Sequence, residues 1–133
     1  MAPRCLIVDD SDCFLQAARE MLHAEGIAVV GVASTTAEAL DRCADSRPDV
    51  VLMDVDLGQE SGLDAAQRIA DTAADGRPRV ILISARHEED LAELIEASPA
   101  IAFLPKLRLS GAAVNEALWA ADSGSGLQEG ADR

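Results

Sequence analysis

Five short apolar runs divide the chain at fairly regular intervals: CLIVD (5–9), IAVVGVA (27–33), VVLMD (50–54), RVILIS (79–84) and AIAFL (100–104). None alternates apolar with polar residues. Continuous runs of this length are the pattern of strands covered on both faces, as in a parallel sheet flanked by helices. The segments between them carry helical spacing. Phe14, Ala18, Met21 and Leu22 share one face of the first, Ala37, Leu40 and Ala44 of the second, and Leu63, Ala66, Ile69 and Ala73 of the third. Leu91, Leu94 and Ile95 mark the fourth, and Ala113, Val114, Ala117, Leu118 and Ala121 the fifth. The pattern predicts a βα unit repeated five times.

Punctuation agrees with those boundaries. Thr35 followed by Glu38 reads as a capping box, Ser61 and Ser110 as N-caps, and RPD and GRPR as loops before strands. Right-handed crossovers restrict the topology, and 133 residues are too few for a closed eight-stranded barrel. The expected fold is therefore single-domain α/β, a flavodoxin-like (βα)5 arrangement. Its five-stranded parallel sheet has the order 2-1-3-4-5, with helices on both faces. The domain is expected over residues 1–121, with the small, polar stretch 122–133 as a flexible tail, so that the chain reads as stand-alone.

Charge narrows the function. A net charge of -13 repels phosphate backbones and anionic lipid headgroups, so neither direct nucleic-acid nor membrane binding is expected. No stretch approaches the ~20 apolar residues of a membrane span, which predicts a soluble, cytoplasmic protein. Cys5, Cys13 and Cys43 lack metal-ligand spacing and read as reduced thiols. His23 and His87 read as surface or loop residues, with His87 close enough to Ser84 to line a pocket there, and Trp119 as core or a partner contact.

In open α/β sheets ligands bind beyond the carboxyl ends of the strands. The first predicted strand ends in Asp9 and Asp10, the third in Asp54 with Asp56 just beyond, the fourth in Ser84, and the fifth is followed by Lys106. In the order 2-1-3-4-5 these four ends are neighbours. A lone Asp at a strand end usually forms a turn or caps a helix, and Asp10 in DDSD could do only that. The joint pattern is harder to obtain by chance. Carboxylates packed together repel unless a cation joins them, and an oxygen-only set suits Mg²⁺ with a phosphoryl group. A carboxylate can itself attack phosphorus, with a metal, a hydroxyl and an ammonium around the developing charge. Asp54, on the middle strand, is the best-placed nucleophile.

These residues resemble the response-regulator receiver domain, or CheY-like, family, from about Arg4 to Ala121. LIVDD supplies the acidic pair, VLMDVDLGQESG the acceptor segment, VILISA the hydroxyl and AFLPK the lysine. The resemblance implies Asp54 as phospho-acceptor and Mg²⁺ held by Asp9, Asp10, Asp54 and the backbone carbonyl of Asp56. It also implies Ser84 and Lys106 on the phosphoryl group, Phe103 as an aromatic switch with Ser84, and Gly62 at the family's glycine. A sensor histidine kinase or phosphotransfer protein would donate the phosphoryl group. A downstream protein would read the face made by the fourth helix, fifth strand and fifth helix, the receiver being a monomer or a weak phosphorylation-dependent dimer. On this reading the chain is a switch that modifies and demodifies itself rather than a metabolic enzyme.

Two positions depart from the family. Gly58 stands where Pro is common, which predicts a freer loop after Asp54. Leu107 follows the lysine where Pro is usual, and Pro105 precedes it, so the family's cis bond is not carried over. Two alternatives stay open: a degenerate receiver that signals without phosphate, and a haloacid-dehalogenase-type phosphatase, whose Asp-x-Asp motif DVDLG also resembles. In the latter family the nucleophile strand comes first and the acidic pair late, the reverse of the order here.

Overall fold

The computed structural model describes residues 2–131. Its elements are β1 (Arg4–Val8), α1 (Asp12–Ala24), β2 (Ala28–Ala33), α2 (Thr36–Ser46), β3 (Val50–Asp54), β4 (Asp56–Leu57), β5 (Glu60–Ser61), α3 (Gly62–Asp71), β6 (Arg79–Ser84), α4 (Glu88–Ala97), β7 (Ala102–Pro105) and α5 (Gly111–Ala131), with a 3₁₀ turn at Lys106–Arg108. The main sheet has the order β2-β1-β3-β6-β7, all pairs parallel. This is the expected 2-1-3-4-5 arrangement once the small β4–β5 hairpin, which stands apart, is left out of the numbering.

Every residue of β3 is buried because both faces are covered. Leu6, Val8, Val51, Met53, Val80 and Leu82 pack with α2, α3 and α4. Cys5, Ile7, Val50, Leu52, Ile81 and Ile83 pack with α1 and α5. The period of two is present in the packing and invisible in the sequence, since both alternating sets must be apolar.

The helix faces need correction. On α2 the buried residues are Thr36, Ala39 and Cys43; of the expected set Leu40 packs against the core, while Ala37 and Ala44 are exposed. Single alanines at positions 37, 39 and 44 gave the spacing no contrast, and the inward-facing Thr36 and Cys43 stood outside the expected set. On α1, Leu15 takes the central place with Ala18 and Leu22, while Phe14 lies at the edge of the core. Trp119 is 65% exposed and so is not core. Helix α5 runs to Ala131 and so includes most of the stretch 122–133 expected as a tail. Residues 132–133 of that tail lie outside the described residues.

Between Asp54 and α3 the chain forms a hairpin the sequence reading missed. Asp56 pairs with Ser61 and Leu57 with Glu60, leaving Gly58 and Gln59 as a two-residue loop. Gly58 has φ +63° and Gln59 does not share the left-handed region, which is the type II′ pattern with glycine first. Proline, locked near φ -65°, could not take this place. Gly58 therefore closes a tight turn here instead of loosening the loop. Glu60 pins the hairpin to α2, its Oε1 accepting from the Thr36 amide at 2.8 Å and hydroxyl at 2.7 Å.

Gly62 opens α3 directly under the acceptor strand. A Cβ there would stand 1.7 Å from the Asp54 carbonyl oxygen and 2.9 Å from Val55 Cα, both main-chain atoms that cannot swing aside. Gly62→Ala is expected to cost about 3 kcal/mol or more in urea denaturation, the upper range for overpacking. Gly26→Ala, at φ +87° with nothing within 4 Å, should cost only about 1–2 kcal/mol. Equal losses for the two would show that the close approach at Gly62 is unimportant.

Candidate functional site

The polar ends of β1, β3, β6 and β7 meet where the strand order reverses between β1 and β3, the switch point at which open α/β sheets bind ligands. Asp9 is fully buried, Asp54 nearly so, and Asp10 exposed. One carboxylate oxygen from each lies within 4.8 Å of the others. Asp10 does not cap α1. That role falls to Ser11, whose hydroxyl accepts from the Phe14 amide at 3.2 Å.

Lys106, the only lysine in the sequence, answers this negative charge. Its Nζ lies 2.6 Å from Asp9 Oδ2 and 3.3 Å from Asp54 Oδ2. The contact with Asp54 is a hydrogen bond. That with Asp9 is an ion pair without hydrogen-bond alignment, so buried Asp9 Oδ2 keeps its lone pairs otherwise unmatched. Asp9 Oδ1 accepts from the Ser11 amide at 2.8 Å. The Leu107 that follows is wholly exposed, and the 3₁₀ turn still delivers the ammonium to the pocket.

Burial pushes the Asp54 carboxyl up to about 6, and the charge of Asp9 adds to this. The Asp56 amide, which donates to Asp54 Oδ1 at 3.2 Å, and Lys106 pull the other way. For Lys106, burial works against the ammonium, but the contact with Asp9 and the charges of Asp54 and Asp9 outweigh it and raise the pKa.

Ser84 is buried at the end of β6, beside Pro105 of β7, and its hydroxyl accepts from the Arg86 amide at 2.9 Å. Phe103 is partly buried against the cluster containing Leu82 and Leu91. Asp56 stands outside the carboxylate group. Both its oxygens accept from Arg86, at 3.1 Å each, in a solvent-exposed fork between the loops after β3 and β6. The sequence reading did not pair these two, yet the signal was there: each lies two residues past its strand end, on neighbouring parallel strands in near register. His87 is exposed at the N-cap position of α4 and makes no side-chain cap bond. Burial pushes the thiols of Cys5 and Cys43 up to about 12 and about 11, and Cys13 is exposed. No helix among the described residues is long and apolar enough to cross a membrane.

The family model "Response regulator receiver domain" matches residues 5–110, and the chain belongs to that family. It is a two-component response-regulator receiver with the CheY-like fold, which removes the phosphatase alternative. A protein-glutamate methylesterase/protein-glutamine glutaminase of Myxococcus xanthus is 39% identical over 65% of this chain and 24% of its own length. The transcriptional regulatory protein PdtaR of Mycobacterium tuberculosis is 33% identical over 77% of this chain and 49% of its own. The chain thus spans between a quarter and a half of the length of these curated relatives. Among solved structures, a LuxR-family two-component response regulator from Aurantimonas has a TM-score of 0.77 at 25% identity, covering 93% of this chain and 87% of that one. The response regulator domain of Thermotoga maritima CheB gives 0.68 at 26%, covering 79% and 78%.

Because the folded Asp54 keeps its proton to about pH 6, against an ordinary value of 3.8, its ionisation works against the fold. Its stabilising contribution is fully present below pH 3.8 and is lost as the pH rises through 6. Asp54→Asn, which cannot ionise, should gain up to about 3 kcal/mol over the wild type at pH 8 in EDTA, with the gain vanishing below about pH 4. Thermal denaturation across pH measures this, and a less stable variant at pH 8 would contradict it.

Proposed function

We propose that the chain accepts a phosphoryl group on Asp54 from a phosphohistidine of a sensor kinase or phosphotransfer protein. The observation that carries this reading is the Lys106 ammonium at 3.3 Å from Asp54 Oδ2, inside a group of three converging carboxylates. An Asp54 oxygen attacks phosphorus and the phosphorus–nitrogen bond breaks, the imidazole leaving as the neutral ring once protonated. Lys106 and the Ser84 hydroxyl are placed to take the charge on the phosphoryl oxygens. The Ser84 hydroxyl can donate to a phosphoryl oxygen while still accepting from the Arg86 amide.

The donor set fits Mg²⁺. Asp9, Asp10 and Asp54 each offer a hard oxygen, and the buried Asp9 Oδ2 is met by the Lys106 ammonium at 2.6 Å, a cation standing where a metal would bind. Asp56, its carboxylate engaged by Arg86, is left its main-chain carbonyl for this role. When bound, the ion neutralises charge on the transferring group. The output is a shift of population between two arrangements of Ser84 and Phe103, read by a protein partner at α4, β7 and α5. The exposure of Leu94 on α4 and Trp119 on α5 supports an apolar contact there. The working place proposed is the cytoplasm.

Incubation with phosphoramidate and Mg²⁺ should add one phosphoryl mass to the wild type and none to Asp54→Asn, as read by intact-protein mass spectrometry. No gain in the wild type, or equal gains, would overturn the reading in favour of a receiver that signals without phosphate. Arg86→Ala removes a positive charge from the mouth of the site and frees the Asp56 carboxylate. It should tighten Mg²⁺ binding about two- to fivefold by calorimetry at low salt. Weaker binding would assign Arg86 a different part.

A further inference from the structure

We infer that Phe14 is a positioning residue for Lys106, holding its ammonium over the aromatic face so that it stays on the phosphoryl side of the pocket when a cation takes Asp9. The inference rests on the proposed phosphotransfer at Asp54.

Lys106 Nζ lies 4.5 Å from the centroid of the Phe14 ring, within the range in which the negative face of an aromatic attracts a cation. Phe14 is one of only three aromatic residues in the sequence, with Phe103 and Trp119. Its place is set by a closed circuit of contacts. Asp9 Oδ1 accepts from the Ser11 amide, and the Ser11 hydroxyl accepts from the Phe14 amide. The Phe14 ring faces Lys106, which returns to Asp9 Oδ2. The N-cap that starts α1 therefore also aims the ring.

The circuit matters because Lys106 and a divalent ion want the same oxygen. At 2.6 Å from Asp9 Oδ2 the ammonium occupies the acceptor that a metal would use. A bound dication would repel it, and a lysine has a flexible four-carbon stem on which to swing into water. The 3₁₀ turn holds the Lys106 main chain, its carbonyl accepting from the Leu109 amide at 3.3 Å, but that bond does not fix the end of the side chain. The Phe14 face and Asp54 Oδ2 together offer a second seat that excludes neither the metal nor the phosphoryl group. Phe14 touches no substrate in this account and acts only through Lys106.

Three variants separate the ring's charge distribution from its bulk. Replacing Phe14 by 3,4,5-trifluorophenylalanine keeps the shape and removes the negative face. Phe14→Leu keeps an apolar side chain without a face, and Phe14→Tyr keeps the face. With phosphoramidate and Mg²⁺, the first two should be phosphorylated about three- to tenfold more slowly than the wild type, and Phe14→Tyr at close to its rate. A trifluoro variant that reacts at the wild-type rate overturns the inference, whatever the leucine variant does. A wild type that gains no phosphoryl group instead refutes the proposed function, and a second readout then decides the contact. With one lysine in the chain, its ε-methylene NMR signal is unique. Ring current should move it upfield in the wild type with Mg²⁺ present and not in Phe14→Leu. Loss of that shift on adding Mg²⁺ to the wild type would show that the ammonium leaves the ring.

Discussion

Carboxylates of Asp9, Asp10 and Asp54 converge at the ends of adjacent strands, and one ammonium stands among them. Like charges this close cannot all ionise in a buried setting unless something positive is supplied. Lys106 supplies part of it, yet burial first, and the Asp9 charge after it, still hold the Asp54 carboxyl above its ordinary range. That imbalance makes the site receptive to a divalent ion. A group already neutralised by two or three basic residues would have no such need. The chain's other strongly basic residues are all arginines, and Arg86 is spent on Asp56 at the rim. A compact ammonium fits between two carboxylates where a planar fork would not.

The scaffold serves this imbalance by bringing backbone close to the acceptor. Gly62 lets α3 start against the Asp54 carbonyl, and the Asp56 amide donates back to the Asp54 side chain. The β4–β5 hairpin turns on Gly58, where a Cβ would stand 3.3 Å from Asp10 Oδ2, and is tied by Glu60 to the start of α2. The segment after the acceptor is thus braced at both ends rather than left as a loose loop.

Much of this was legible beforehand. The continuous runs required a doubly covered sheet, and the strand-end residues Asp9, Asp54, Ser84 and Lys106 fell together as soon as the strand order was accepted. The family match over residues 5–110 agrees with the receiver resemblance read from the motifs. The inward face of α2 was not legible, because Ala at Ala37 and Ala44 carries no information about direction while Thr36 and Cys43 look polar or neutral. Nor was the hairpin, since Gly58 in place of proline suggests freedom until its φ is known.

The sequence by itself determined the order of elements and the chemistry at each strand end, because apolar runs and polar punctuation are local properties of the chain. Only the tertiary structure decided which partner each polar group takes. Asp56 could have joined the carboxylate group and instead pairs with Arg86. Phe14 could have been ordinary core and instead faces Lys106, 92 positions away. Such pairings depend on distances set by sheet register and helix packing, to which residue spacing along the chain is blind.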